Sequence, residues 1–420
     1  MNNKIKLAVA GAVLSAASVA NAGIVIPAGD WTLDVNGNVN AFVNFSDMDK
    51  GKGGNNIPAA NGRLAGVEDA DGEGSTVGIN TGLLPAWLGF TGTTRQNDVD
   101  VSFTISFQPN VSDNTAAGDN KTPLNRQAFV TFGDKSWGTV KLGKDLGIFA
   151  GQAILNDMTL LGVGGGAGVS GGATTLGGIG SGYIYPAWKG QVAYTTPNMN
   201  GFTATIAVTN PNQVNSTVTT TAGVTAGGQL NQDRLGIEAQ AMYEWTGDVA
   251  GKVWVSGASY DVTGDTVNDG TVTTTAEIDS YTATAWDIGA NITTGNLGLV
   301  AYYYDGDGVG TTLFGNLGAQ GTGGKFKKRE SDGGYLQATY VIPTGTKLGV
   351  AYGVSNLDEA SGESDDDLIE KNERWTVGAY HPLTKHLNLV AEYNKITSEG
   401  QSSAYENEQD TFSLGAILFF

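Results

Sequence analysis

The chain has no cysteine, only two histidines and ten prolines, and beyond its N-terminal segment no long apolar run. The missing cysteine excludes disulfides, thiolate chemistry, cysteine metal sites and a lipoprotein anchor. Past the N-terminal segment, no stretch reaches the ~18 consecutive apolar residues that a spanning helix needs. Basic residues are scarce, with 23 Lys and Arg against 42 acids, and a formal charge of −19 argues against a nucleic-acid partner. Serine–histidine chemistry needs a base held by a third group, yet His381 and His386 share one short turn. No acid pair stands out for proton transfer. Asp305-Gly-Asp-Gly308 lacks the further ligands of a calcium loop. No catalytic residue, cofactor or bound metal is expected.

The N-terminal segment has its own reading. Lys4 and Lys6 precede an apolar stretch from Leu7 to about Ala20, and Ala20-Asn21-Ala22 is a small-residue cleavage site. Those parts describe a secretory signal peptide over 1–22, with a mature chain from Gly23. The remainder, 23–420, has no Pro-rich linker and no shift of pattern, and reads as a single domain.

The remaining apolar residues alternate. Trp31, Leu33, Val35, Val39, Ala41, Val43 and Phe45 interleave with Thr32, Asp34, Asn36, Asn38, Asn40 and Asn44. Val101, Phe103, Ile105 and Phe107, then Ile237, Ala239, Ala241 and Tyr243, repeat the pattern. At the C-terminus Phe412, Leu414, Ala416, Leu418 and Phe420 share one face, opposite Thr411, Ser413, Gly415, Ile417 and Phe419. A period of two over about ten residues is what a tilted strand needs to cross a bilayer.

This pattern predicts strands over 31–46, 86–95, 99–108, 125–132, 137–147, 188–196, 202–209, 234–246, 252–260, 281–293, 297–304, 334–341, 347–355, 373–380, 387–396 and 410–420. The gaps alternate strictly between long and short, and Thr76–Leu83 could add a strand inside the first long one. An even number of antiparallel strands with short turns at one end and long loops at the other is the plan of an outer-membrane barrel. In lipid such a sheet must close on itself. Sixteen strands leave an aqueous lumen, whereas about eight are filled by their own side chains. Trp31, Trp87, Trp245 and Trp375 fall near strand ends, where aromatic girdles belong.

Particular segments then resemble a known family. Asn125-Arg-Gln-Ala-Phe-Val-Thr-Phe-Gly133 and Trp137-Gly-Thr-Val-Lys-Leu-Gly-Lys144 resemble the fourth and fifth strands of Gram-negative general porins. Gln191 to Phe202, Tyr380 to Tyr393 and the terminal Phe420 resemble their sixth and final strands. The resemblance implies an all-β, 16-stranded antiparallel transmembrane barrel with short periplasmic turns, long extracellular loops and an inward-folded third loop. It further implies a homotrimer in the Gram-negative outer membrane, and a terminal Phe420 read by the barrel-assembly machinery. The function implied is passive diffusion of ions and small hydrophilic solutes. The alternatives are a substrate-selective porin and an adhesin or structural barrel with little conductance.

By that resemblance, 148–185 is the constriction loop. In the family such loops carry acids, often around Pro-Glu-Phe-Gly-Gly, that face a ladder of wall arginines. Here Asp157 is retained, and Leu160 and Leu161 stand where the Pro-Glu pair would be. Arg126 matches a fourth-strand arginine and Lys189 a sixth-strand one, with Lys141 and Lys144 nearby and Arg234 a weaker candidate. Basic wall residues thus outnumber loop carboxylates, and the eyelet is expected to be neutral to anion-leaning. Acids cluster at Asp358–Glu370 and Asp47–Glu73, as solvated loops, as sites for divalent cations that bridge lipopolysaccharide phosphates, or as a cation-concentrating vestibule. Lys325-Phe-Lys-Lys-Arg329, the one basic run, is a solvated loop, a partner for those acidic loops across the mouth, or a lure for an anionic solute.

Overall fold

The computed structural model describes residues 23–69, 71–111, 124–166, 174–210, 215–219, 225–231, 234–264, 280–322 and 325–420. The expected signal peptide lies outside the described residues, as do Gly168, Gly171 and Gly172 of the long third loop.

Sixteen antiparallel strands close into a barrel. In chain order they are β1 (Trp31–Met48), β2 (Trp87–Gln96), β3 (Val99–Gln108), β4 (Leu124–Asp134), β5 (Gly138–Leu146), β6 (Trp188–Thr195), β7 (Phe202–Thr209) and β8 (Gly236–Trp245). The second half comprises β9 (Val249–Gly264), β10 (Ser280–Thr294), β11 (Leu297–Asp307), β12 (Glu330–Val341), β13 (Lys347–Leu357), β14 (Ile369–Pro382), β15 (Leu387–Gly400) and β16 (Glu406–Phe419). Each strand pairs with its neighbour, and β16 closes on β1 from Asn38↔Phe419 to Met48↔Gln409. Phe420 and Gly37 exchange both backbone hydrogen bonds, at 2.8 and 3.0 Å, which fixes the lower end of that seam. Among the described residues no helix is long and apolar enough to cross a membrane; strands make the crossing.

The two-residue period decides what faces lipid. Along β1, Val39 and Phe45 are 55% and 47% exposed, while Asn38, Asn40 and Asn44 are buried inside. Backbone groups cannot be left unpaired in hydrocarbon, and closure leaves no free edge. Short turns join strands at one end. Between β2 and β3, Asn97 and Asp98 take positive φ of 49° and 62°, the twist-matched geometry that tight hairpins favour.

The long loops carry structure beyond the expected strands. Ser75–Asn80 pairs with the upper half of β1, within the span where an extra strand was anticipated. Ile24–Ala28 pairs with the start of β1. Asn215–Thr219 pairs with Thr225–Asn231, and Ala319–Thr322 with Lys325–Lys328. The basic run is therefore partly strand. Its Arg329 is buried and forms a two-point ion pair with Glu363 (2.9 and 2.5 Å), and Lys328 pairs with Asp307. Trp87 also departs from expectation. It pairs with lumen-facing Asn38 and stacks edge-on to Phe419 inside the barrel, because its register position, not its nearness to a strand end, sets its face.

Candidate pore and its constriction

The described residues of 148–185 fold into the barrel. A short helix, Gly151–Asn156, and a 3₁₀ turn, Met158–Leu161, carry the loop across the inner wall. Its apolar residues Phe149, Ala153, Ile154, Leu155, Tyr183 and Ile184 pack on the lumen-facing Trp254, Tyr260, Tyr302 and Tyr335 of β9–β12. Farther along, Met158 and Val163 join Phe42, Trp87, Tyr380, Val390, Ile417 and Phe419. Ile417 and Phe419 sit on the otherwise polar face of the last strand because this loop covers them. Fully burying each such side chain contributes about 1.5–3 kcal/mol, so the loop is held as a packed element.

Polar anchors then set where it lies, and the wall supplies the carboxylates. Glu238 on β8 accepts the backbone N–H groups of Ile148 (2.6 Å) and Phe149 (3.2 Å). Asp287 on β10 accepts the N–H of Ala150 at 3.0 Å. Glu392 on β15 accepts those of Val163 (2.9 Å) and Gly164 (2.8 Å). Amides add to this: Gln337 accepts the Met158 N–H at 2.7 Å, and Asn291 donates to Asn156 at 2.7 Å. A buried carboxylate needs such donors to offset its desolvation.

Asp157 is fully engaged. Its carboxylate accepts the N–H groups of Thr159 (2.9 Å) and Gly178 (3.0 Å) and the Tyr183 hydroxyl (2.9 Å), and lies 3.6 Å from Arg374 Nη2 of β14. Both members of the pair are essentially inaccessible. Burial and the adjacent Asp157 carboxylate push the Tyr183 hydroxyl well above its ordinary value, so it stays a donor.

The other candidate residues are spread over the wall. Lys189 is buried, ion-paired with Glu238 at 2.6 Å and hydrogen-bonded to the Tyr260 hydroxyl at 2.9 Å. Lys141 faces the lumen and pairs with Asp145, which also accepts from Gln127 at 3.1 Å. Lys144 pairs in register with outward Ala128, points outside and donates to the Asn125 carbonyl at 2.8 Å. Arg126 is the extra residue of a bulge in β4, with its guanidinium 6.0 Å from the Trp188 ring. Arg234 is exposed and pairs with Asp261 at 3.1 Å. The structure thus brings Lys189 to the root of the loop and leaves Asp157, Lys141, Lys144 and Arg126 in separate settings.

Reasoning from the sequence missed Arg374 and the anchoring role of Glu238, Asp287 and Glu392. Each was visible only as one polar position in an alternating strand. The facing wall is different in kind. On β2–β5, Thr91 and Thr104 share a hydrogen bond at 3.1 Å, Ser106 donates to Gln127 at 3.1 Å, and Lys141 lies beside Phe129. A lumen lined on one side by small polar groups and narrowed on the other by a packed loop passes hydrated solutes down their gradient.

Comparison with known proteins agrees with this geometry. The outer membrane channel DcaP of Acinetobacter baumannii is 15% identical, with a TM-score of 0.65 over 94% of this chain and 99% of that one. The anion-selective porin from Comamonas acidovorans is 15% identical, with a TM-score of 0.59 over 93% and 100%. The trimer form of in-vitro folded OmpT from Vibrio cholerae is 16% identical, with a TM-score of 0.53 over 93% and 99%. The curated proteins give no match. A family profile for Gram-negative porins matches residues 7–401. This profile and the closed sixteen-stranded barrel identify an outer-membrane channel for the passive diffusion of small solutes: the chain belongs to the Gram-negative porin family.

Proposed function

We propose that this channel works as a homotrimer with an eyelet that is neutral to anion-leaning, and not as an enzyme. The observation that carries the selectivity is the pairing of charge at the level of the loop. Lys189–Glu238, Lys141–Asp145 and Arg374–Asp157 cancel. Glu392 and Asp287 are spent on loop N–H groups and almost wholly buried. On lumen-facing positions Lys347 has no carboxylate within salt-bridge reach among the described residues, while Lys252 stands in register with Glu244 and donates to Gln152 at 2.9 Å. Arg126, the bulge residue of β4, lies beside the Trp188 ring. A basic surplus in a confined pore favours anions. Reversal potential in a salt gradient tests this: a weak anion preference is expected, shifted toward cations by Lys347→Ala. Strong cation selectivity unchanged by Arg126→Ala, Lys189→Ala or Lys347→Ala would overturn the reading.

A trimer is supported by the outer surface. From β1 to β4 the large exposed side chains are Val39, Phe45, Leu88, Ile105, Phe107, Leu124 and Val130, whereas Tyr243, Trp286, Tyr303, Tyr340, Trp375 and Tyr393 stand on β8–β15. Girdles of Tyr and Trp mark lipid contact, and the lack of an exposed Tyr or Trp along β1–β4 suits burial against other copies. Export by cleavage after Ala22 predicts Gly23 as the mature N-terminus by mass spectrometry. Phe420, hydrogen-bonded into the seam, is proposed as the assembly signal, and the acidic outer loops as contacts to lipopolysaccharide through divalent cations. In this proposal residues 23–420 form one barrel, with 148–185 as its constriction loop.

A further inference from the structure

The long loop between β1 and Ser75–Asn80 also descends into the barrel. Ile57 is fully buried with Leu357, Leu368 and Ile369. Its N–H donates to Asn407 Oδ1 at 3.0 Å. Farther on, the N–H groups of Leu64 and Ala65 both donate to Ser398 Oγ at 3.1 Å, and that of Gly66 donates to Gln409 Oε1 at 2.7 Å. Asn372 Nδ2 in turn donates to the Gly62 carbonyl at 2.9 Å. Asn372, Ser398, Asn407 and Gln409 are lumen-facing positions of β14, β15 and β16, and all are at most 1% exposed.

This part of the pore wall, polar by sequence, is therefore not open to solute. The approach is close enough to restrict residue type. A Cβ at Gly62, which has φ +99°, would lie 2.5 Å from Ile369, and one at Gly66 would lie 2.1 Å from Met48 Sδ. The same loop meets the constriction loop, since a Cβ at Gly180 would stand 3.0 Å from Leu64 and 2.7 Å from Thr312.

We propose that the first long loop is a second constriction element, one that closes the lumen over β14–β16 above the 148–185 loop and so confines solutes to the lane along β2–β5. Residues 51–69 then set the exclusion limit together with the constriction loop, and the hydrogen-bonding ladder Asn372–Ser398–Asn407–Gln409 is a seat for a loop and not a path for water. The inference rests on the channel and not on its ion preference.

The absence of cysteine makes a clean test possible. In full-length Ala65→Cys/Ser398→Cys protein, the disulfide is expected to form on export, and oxidised and reduced channels should conduct alike. Replacing 51–69 by a short Gly-Ser linker should raise single-channel conductance roughly 1.5-fold, since the open cross-section grows, and should admit larger sugars in liposome swelling. Ser398→Ala/Gln409→Ala, which leaves the backbone untouched, should add open-channel noise in the same direction. Failure of the cysteines to cross-link in a folded barrel would overturn the proposal. So would a conductance that falls on oxidation. A folded linker variant with parental conductance and exclusion limit would do the same, and if that variant does not fold, parental conductance and noise in the double alanine variant decide against it.

Discussion

The two sides of the pore wall use the same strand pattern to opposite ends. Along β2–β5 the lumen face carries small hydroxyl and amide groups that satisfy one another, as in Thr91–Thr104 and Ser106–Gln127. Along β8–β16 it carries aromatics and carboxylates whose wall partners, such as Tyr380 for Glu392, leave acceptor capacity that loops complete, as in Glu238 with Ile148 and Phe149, or Glu392 with Val163 and Gly164. A wall whose small groups pair with one another needs no loop to complete it. A wall that leaves acceptors and rings unsatisfied recruits chain to cover them, because burying an unpaired polar group costs more than ordering a loop segment that pairs with it. Pore shape follows from which strands are self-sufficient.

The sharpest way to break this contrast is to remove one partner of the buried pair on the covered side. Arg374→Ala leaves the Asp157 carboxylate without its cation, and loss of one member of a buried pair costs about 3–5 kcal/mol. A lower melting temperature together with large conductance fluctuations is expected; a variant that melts and conducts like the parent would show that the loop is held by packing alone. Next in size, Glu392→Ala strands two N–H groups of the loop at about 1–3 kcal/mol. Single-channel recordings should then show intermittent higher-conductance states, while Glu392→Gln, which keeps an acceptor, should lie closer to the parent.

On the open side the same reasoning predicts little. Thr91→Val/Thr104→Val removes both members of one hydrogen bond, so stability should change by under about 1 kcal/mol and only conductance should fall slightly. A large loss of stability there would erase the difference between the two halves. The smallest effect concerns the mouth. Although burial raises the Glu363 carboxyl, its bonds with Arg329 and the Ala360 N–H outweigh this and hold it below its ordinary value. A depressed carboxylate contributes stability that is complete above the unfolded value and is lost as pH falls through the folded value. Protease sensitivity of residues 358–368 should therefore rise only in acid below the ordinary carboxylate range. Glu363→Gln should flatten that profile.

The strands were legible because closure in lipid imposes a two-residue period on each of them, and every one of the sixteen expected from alternation is present. Their order was legible from short and long gaps. The candidate site was legible only in part. Asp157 and Lys189 could be singled out, but not their partners Arg374 and Glu238, since an alternating strand shows which face a residue takes and not which loop arrives there. Trp87 misled for a related reason: nearness to a strand end says nothing about the face.

By itself the sequence determined the barrel, its strand count, its greasy exterior and its polar lining, all consequences of local period and of a solvent that cannot hydrogen-bond. Tertiary structure alone decided which part of that lining remains a pore. The loops 148–185 and 51–69 are Gly-rich or polar and carry no period that points inward. They are drawn in by the acceptors and rings of β8–β16, which lie far away in sequence and become neighbours only once the barrel has closed.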